Sequence, residues 1–214
     1  MITMDQIYRP IMDERLKQAG EWQYMRYPHP WHNPAFKSAP AAAQRLLEAY
    51  PHFRIATLRD QSLRPLRELI LEQDRVLIVP AQSGDTLYRI PRSALYPPSG
   101  IRAGALRISP MPAEAEPFTG PVDAIVVGCL GFSPEHRCIY DLDFGRSKRT
   151  VGHIQVTHAP SGADGQHIGI PVIALAADCQ EVDWPEEARS YVAVDVVVTQ
   201  TRVINIGGFK WHSC

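Results

Sequence analysis

Four short, nearly continuous apolar runs constrain this chain more than any other feature. They are Arg75 to Pro80 with its Val-Leu-Ile-Val core, Val122 to Cys129, Pro171 to Ala176, and Val194 to Thr199. Runs of this length and composition suit strands buried on both faces, as in a parallel sheet. Phe53 to Leu58 reads as a further strand, and Arg202 to Ile204 follows the last run. Helical patterns lie between. Residues 4–19 carry Ile7, Ile11 and Leu16 among charges, with Pro10 near the start or at a kink. Residues 39–50 are alanine-rich with Pro40 in the first turn, and Pro65 to Glu72 repeats the pattern. Helix, strand, helix, strand in this order predicts an α/β fold.

Proline accounts for 19 residues, and it marks the irregular segments. Tyr27-Pro-His-Pro-Trp-His-Asn-Pro34 can be neither regular helix nor central strand. Residues 91–121 read as loops around a short element. Residues 152–169 read as a glycine-rich loop with three histidines. No internal repeat and no composition break divides the chain, so the expectation is one domain over residues 1–214. Residues 1–29 would be its N-terminal helix and extended segment.

The formal net charge of −1 gives no electrostatic reason to expect nucleic acid or an anionic membrane as partner. No apolar run reaches the roughly 18 residues of a membrane span. The first twenty residues mix charges with apolar positions, unlike a signal peptide. The expected compartment is the cytoplasm, and the four cysteines are expected to be reduced thiols.

Several side chains carry chemistry. Arg64 and Arg67 share a helix face. They could clamp a carboxylate or phosphate, or they could be a solvated face paired with Glu68 or Glu72. Trp31, Phe36 and Tyr27 could stack on a planar ring or close an edge of the core. His136, His153, His158 and His167 match no recognised metal-ligand spacing, so no metal site is expected. Cys129 and Cys179 suit buried apolar positions.

These pieces together resemble the 5-formyltetrahydrofolate cyclo-ligase family, above all its methenyltetrahydrofolate-synthetase-domain relatives. The resemblance rests on Asn33-Pro-Ala-Phe-Lys37, Arg64-Pro-Leu-Arg-Glu-Leu69, Val76-Leu-Ile-Val-Pro80 and Pro121-Val-Asp-Ala-Ile-Val-Val-Gly128. It continues through Ala177-Asp-Cys-Gln180 and Val194-Asp195 followed by Thr199-Gln-Thr-Arg-Val-Ile204. It covers about residues 30–206. It implies a mostly parallel sheet with helices on both faces, like the ribose-phosphate isomerase and CoA-transferase group. It also implies a small-molecule cleft at the carboxyl ends of the strands. Arg64, Arg67, Trp31, Phe36 and Lys37 would then contact substrate, and Arg137, Tyr140 and Asp141 would carry the chemistry. ATP and Mg²⁺ are the cofactors the resemblance implies.

The chain departs from that pattern at one place above all. The family sets a glycine-rich phosphate loop between an Arg and a Tyr-Asp pair. Here Arg137-Cys-Ile-Tyr-Asp141 keeps the flanks and lacks the glycines. A β-branched residue neither adopts positive φ cheaply nor leaves room for a phosphate. Cys138 stands at the gap and is a possible reactive thiol. Asp141 and Asp143 could act as a general base or metal ligands, or could begin a helix. The first lysine is Lys17, late for a nucleotide contact, and Ser190-Tyr191 replaces a His-Asp pair. The expected function is a cyclo-ligase-like enzyme with an altered site. It would act without ATP in a cyclisation, elimination or isomerisation of a small carboxylate, amine or folate-like substrate. ATP-dependent turnover through a rearranged loop, or ligand binding without turnover, are the alternatives.

Overall fold

The apolar runs form the centre of an eight-stranded sheet in the computed structural model, which describes residues 4–23, 33–95, 112–160, 169–184 and 191–207. Five strands run parallel: β1 (Ile55–Thr57), β2 (Leu77–Pro80), β5 (Ala124–Gly128), β8 (Val172–Leu175) and β10 (Val196–Val198). Every one of their residues is buried. That burial explains why they read as continuous apolar runs rather than alternating ones. Three antiparallel strands border them: β3 (Leu87–Ile90), β4 (Glu116–Phe118) and β11 (Val203–Asn205). The order across the sheet is β11-β10-β8-β5-β1-β2-β3-β4. A second, antiparallel sheet holds β6 (Gly131–Ser133), β7 (Cys138–Tyr140) and β9 (Tyr191–Ala193), with β7 in the middle. The molecule is an α/β protein with a mixed, mostly parallel sheet.

Four helices complete the described fold. Helix α1 (Met4–Gln18) contains Pro10 and buries Met12 and Leu16 completely. Helices α2 (Ala39–Ala49) and α3 (Arg64–Glu72) each begin with a proline in the first turn, where a missing N–H costs nothing. They pack on each other, α2 also on β8 and β10, and α3 on β2. Helix α4 (Phe144–Thr157) is a departure from the sequence reading, which placed loop from residue 152. Gly145, Gly152 and the Thr and Val residues give this segment poor helix propensity. Burial of Thr150, Val151 and Ile154 along one stripe overrides it.

The strand order reverses between β1 and β5, where the chain returns from β4 to lay β5 on the other side of β1. On one side of β1 lie β2 to β4, and on the other lie β5, β8, β10 and β11. Open α/β sheets bind ligands outside the carboxyl ends of their strands at such a switch point. At the opposite ends of the same two strands, Arg54 and Asp123 lock the register. The Arg54 guanidinium donates to both Asp123 oxygens, each at 2.8 Å, and its backbone N–H donates to Oδ2, also at 2.8 Å. Burial pushes Asp123 up, but these bonds hold its carboxyl below its ordinary pKa.

Candidate active site

A cleft opens at the switch point. It is narrow, with a volume of about 60 Å³ for water-sized groups, and it opens to solvent. Its wall comes from the residues after β1 (Leu58, Arg59, Asp60), the end of β2 (Pro80, Ala81), the end of β5 (Gly128) and the first turns of α4 (Asp143, Arg146, Ser147, Thr150). Gly128 is required there by close approach. A Cβ at this position would lie 2.3 Å from the Ser62 hydroxyl and 2.9 Å from the Asp60 carboxyl carbon.

Behind this wall two carboxylates share one amide. Asn33 Nδ2 donates to Asp60 Oδ2 at 2.6 Å and to Asp141 Oδ1 at 3.0 Å. The amide is held in that orientation because its own oxygen accepts from the Leu142 N–H. Asp60 Oδ1 accepts from the Ser62 N–H, and Asp141 Oδ1 also accepts from the Asp143 N–H. Asp141 Oδ2 is buried, with no hydrogen-bond partner within 3.5 Å among the described residues. Burial is the main influence on Asp141, and the Asp60 charge adds to it. Ser147, Asn33 and the Asp143 N–H oppose them, and the pKa is raised from 3.8 to about 6. A carboxyl poised near neutrality beside a cleft can take up and return a proton in the physiological range. Asp141 is only 5% exposed, so its neighbours Ser147, Asp143 and Asp60 form its boundary with the cleft.

The structure brings only some of the sequence-predicted residues to this place. Asp141 is in the network, and Asp143 occupies the N-cap position of α4 and pairs with Arg146 at 3.4 Å. Arg67 is fully buried and donates to the backbone oxygens of Leu58 and Asp60, at 3.0 and 2.9 Å. It thus holds the loop that carries the cleft residues. Burial, chiefly, lowers its pKa to about 10, so it stays charged at neutral pH. Arg64 is exposed and paired with Glu68 at 2.8 Å. Phe36 is buried in the core, Lys37 is exposed, and Trp31 lies outside the described residues.

Tyr140 is fully buried, and its hydroxyl donates to the Trp184 carbonyl at 3.1 Å. Cys138 is buried on β7, and Arg137 is exposed in the turn before it with φ of 52°. Nearby Glu135, His136 and Asp183 form an exposed surface group. The Cys129 thiol is buried, and burial together with the Asp141 and Asp60 charges pushes its pKa well up, away from a thiolate.

The residues after β8 and β10 are structural. Gln180 is buried, accepts from the Ala177 N–H at 2.7 Å, and donates to the carbonyls of Cys129 and Leu130. It thereby ties the loop after β8 to the loop after β5. Asp178 accepts from Thr201 and Arg202.

Asp60, Asn33, Arg59, Arg146 and Ser147 received no functional role from the sequence alone. Asp60 and Arg59 had one legible signal, their place just after a buried strand. Asn33 lay in a recognised motif, but its partners are 27 and 108 residues away.

Known proteins share this sequence pattern and fold. The mouse methenyltetrahydrofolate synthase domain-containing protein is 29% identical over 230 residues, covering 97% of this chain and 57% of that protein. The human protein of the same name is 27% identical over 211 residues, covering 87% of this chain and 51% of that one. The chain therefore spans about half the length of the curated relatives it matches. The solution structure of 5,10-methenyltetrahydrofolate synthetase from Aquifex aeolicus superposes with a TM-score of 0.57 at 19% identity, covering 99% of this chain and 96% of that one. No protein-family model matches the chain.

Proposed function

We propose that this chain, 29% identical to a methenyltetrahydrofolate synthase domain-containing protein, is an enzyme of the 5-formyltetrahydrofolate cyclo-ligase lineage which has exchanged nucleotide chemistry for proton transfer. Its reaction is a cyclisation, elimination or isomerisation of a small substrate, carried out without ATP. The observation that supports this most is the contrast between two neighbouring segments, β7 and Asp141.

The segment that would have to cradle phosphates is β7. Cys138, Ile139 and Tyr140 are buried, and their backbone pairs with β6 on one edge and β9 on the other. A phosphate cradle needs free N–H groups and room for close approach. Residues 137–140 supply neither, so they do not fit ATP–Mg²⁺.

Asp141, one residue on, sits in the buried network with its pKa near 6. At neutral pH it is mostly ionised and accepts a proton. Asp141 lies behind the wall, so the proton passes through Ser147, which lines the cleft and acts on Asp141, and the protonated form returns it by the same route. An isomerisation or elimination run this way takes one proton and gives one back, so it needs no second reactant. Asn33 fixes the geometry of both carboxylates, and Arg67 fixes the loop carrying Asp60.

Titration calorimetry with Mg²⁺-ATP and then with 5-formyltetrahydrofolate tests the reading. The expectation is no ATP binding with or without the folate. Micromolar ATP binding would restore the ATP-dependent reaction that the family resemblance implies.

A further inference from the structure

We infer that Glu135, His136 and Asp183 form a binding site for a divalent transition-metal ion of the zinc class. The site shares no residue with the switch-point cleft, and it stands independently of the proton-transfer reading.

Among the described residues, this is the one group of three acid, imidazole or thiol side chains whose donor atoms all lie within 4.8 Å of one another. His136 Nε2 is 3.3 Å from Asp183 Oδ1. An ion about 2.1 Å from each would see them at roughly 105°, between the octahedral and the tetrahedral angle. An imidazole with two carboxylates suits zinc, whereas magnesium takes oxygen donors. Asp183 lies 47 residues from His136, so no spacing in the sequence shows the group.

The supports of the three side chains are fixed by the fold, as a site needs. Glu135 and His136 sit in the turn between β6 and β7. The Arg137 N–H donates to the Pro134 carbonyl at 3.3 Å and closes that turn, and the His136 N–H donates to the Ser133 hydroxyl at 3.3 Å. Asp183 stands between two anchored neighbours. The Val182 N–H donates to the Phe132 carbonyl at 2.9 Å, and the Trp184 carbonyl accepts from the buried Tyr140 hydroxyl. Phe132 and Tyr140 belong to the same hairpin as Glu135 and His136. The two ligand-bearing segments are thus tied to each other by buried bonds.

The charges favour a cation. Glu135, Asp178, Glu181 and Asp183 line one surface groove with Arg15, and its volume is about 570 Å³ for water-sized groups. Arg202 pairs with Asp178 and Glu181, and Arg15 donates to the Glu181 carbonyl. Those guanidinium groups serve those two acids. Glu135 and Asp183 stand instead with one imidazole, and a divalent cation among the three offsets the repulsion of the two carboxylates. Three protein donors leave coordination positions open to water or to an oxygen-bearing ligand.

The test is titration calorimetry of the whole chain with zinc chloride, and in parallel with magnesium chloride, in a buffer that does not chelate. Glu135→Gln, His136→Ala and Asp183→Asn are measured alongside. His153→Ala, on α4 and outside the group, controls for the other histidines. The three altered side chains are exposed, so each variant should fold, and circular dichroism verifies it. The expected result is one saturable zinc site in wild type and His153→Ala. Zinc affinity falls by about tenfold or more in each of the other three variants, and magnesium binds wild type at least about a hundredfold more weakly than zinc. In nitrogen-15 spectra, zinc should shift the ring signals of one histidine, and those signals should be missing from His136→Ala. No saturable zinc binding overturns the site. Undiminished affinity in His136→Ala also overturns it, by placing the ion on other groups such as the thiols. Equal affinity for magnesium would reduce the group to an acidic surface patch.

Discussion

Replacing Asp141 by asparagine separates what this residue costs the fold from what it gives the site. An acid whose pKa is raised on folding binds more protons in the native state than in the unfolded one. Between the unfolded value of 3.8 and the folded value of about 6, stability therefore falls as pH rises. Below that window both states are protonated and the penalty is absent. Above it the penalty is complete. A difference of about 2 units at 1.36 kcal/mol each gives roughly 3 kcal/mol lost by neutral pH. Asparagine has nearly the same shape, and its oxygen still accepts from the Asn33 amide and the Asp143 N–H. Asp141→Asn should thus raise unfolding stability at pH 7.5 by about 2–3 kcal/mol, while at pH 4 the two proteins converge to within about 1 kcal/mol. Urea unfolding at both values measures this directly. Turnover should fall at the same time, since an amide cannot shuttle a proton. A variant less stable than wild type at pH 7.5, or one whose gain is the same at both values, would refute the reasoning and return Asp141 to an ordinary carboxylate.

Two other substitutions probe how the cleft is built. Arg67→Met keeps apolar volume but removes the guanidinium bonds to the carbonyls of Leu58 and Asp60, leaving the latter with the Leu63 N–H at 3.3 Å. It should cost roughly 3 kcal/mol in urea unfolding, and a loss below 1 kcal/mol would mean that the guanidinium does not hold this loop. Gly128→Ala drives a methyl into Ser62 and Asp60. It should destabilise by about 1–3 kcal/mol in urea unfolding, and a loss below about 0.5 kcal/mol would show that the floor of the cleft tolerates the group.

What could be read in the sequence follows from how much each element reveals by itself. Strands β1, β2, β5, β8 and β10 are buried on both faces, so their composition alone gives them away. Strands β3, β4, β6, β7 and β9 have three or four residues each, too few for a period to appear. Helix α4 was hidden because its glycines and β-branched residues argue against helix, and only tertiary burial of Thr150, Val151 and Ile154 argues for it. For Arg64 and Arg67 the shared helix face was visible but not its rotation against the sheet. Leu66, Ile70 and Leu71 are buried, and that rotation carries Arg67 inward while Arg64 stays in solvent. Asp141 was legible through its place after the Arg-Cys-Ile-Tyr segment. Its partners Asn33 and Asp60 were not, because three distant segments meet only in the folded chain.

That meeting makes Asn33 a gauge of completeness. Its one amide group joins the loop after β1 of the main sheet to the residue after β7 of the second sheet, and its bond to Asp141 draws that carboxyl's pKa down against the burial that raises it. A chain in which the main sheet has formed but the segment around Asn33 has not docked would present Asp141 with one hydrogen bond fewer and more water. Its titration, followed by the carboxyl signal in NMR, would then distinguish a finished molecule from one that is merely folded at its centre.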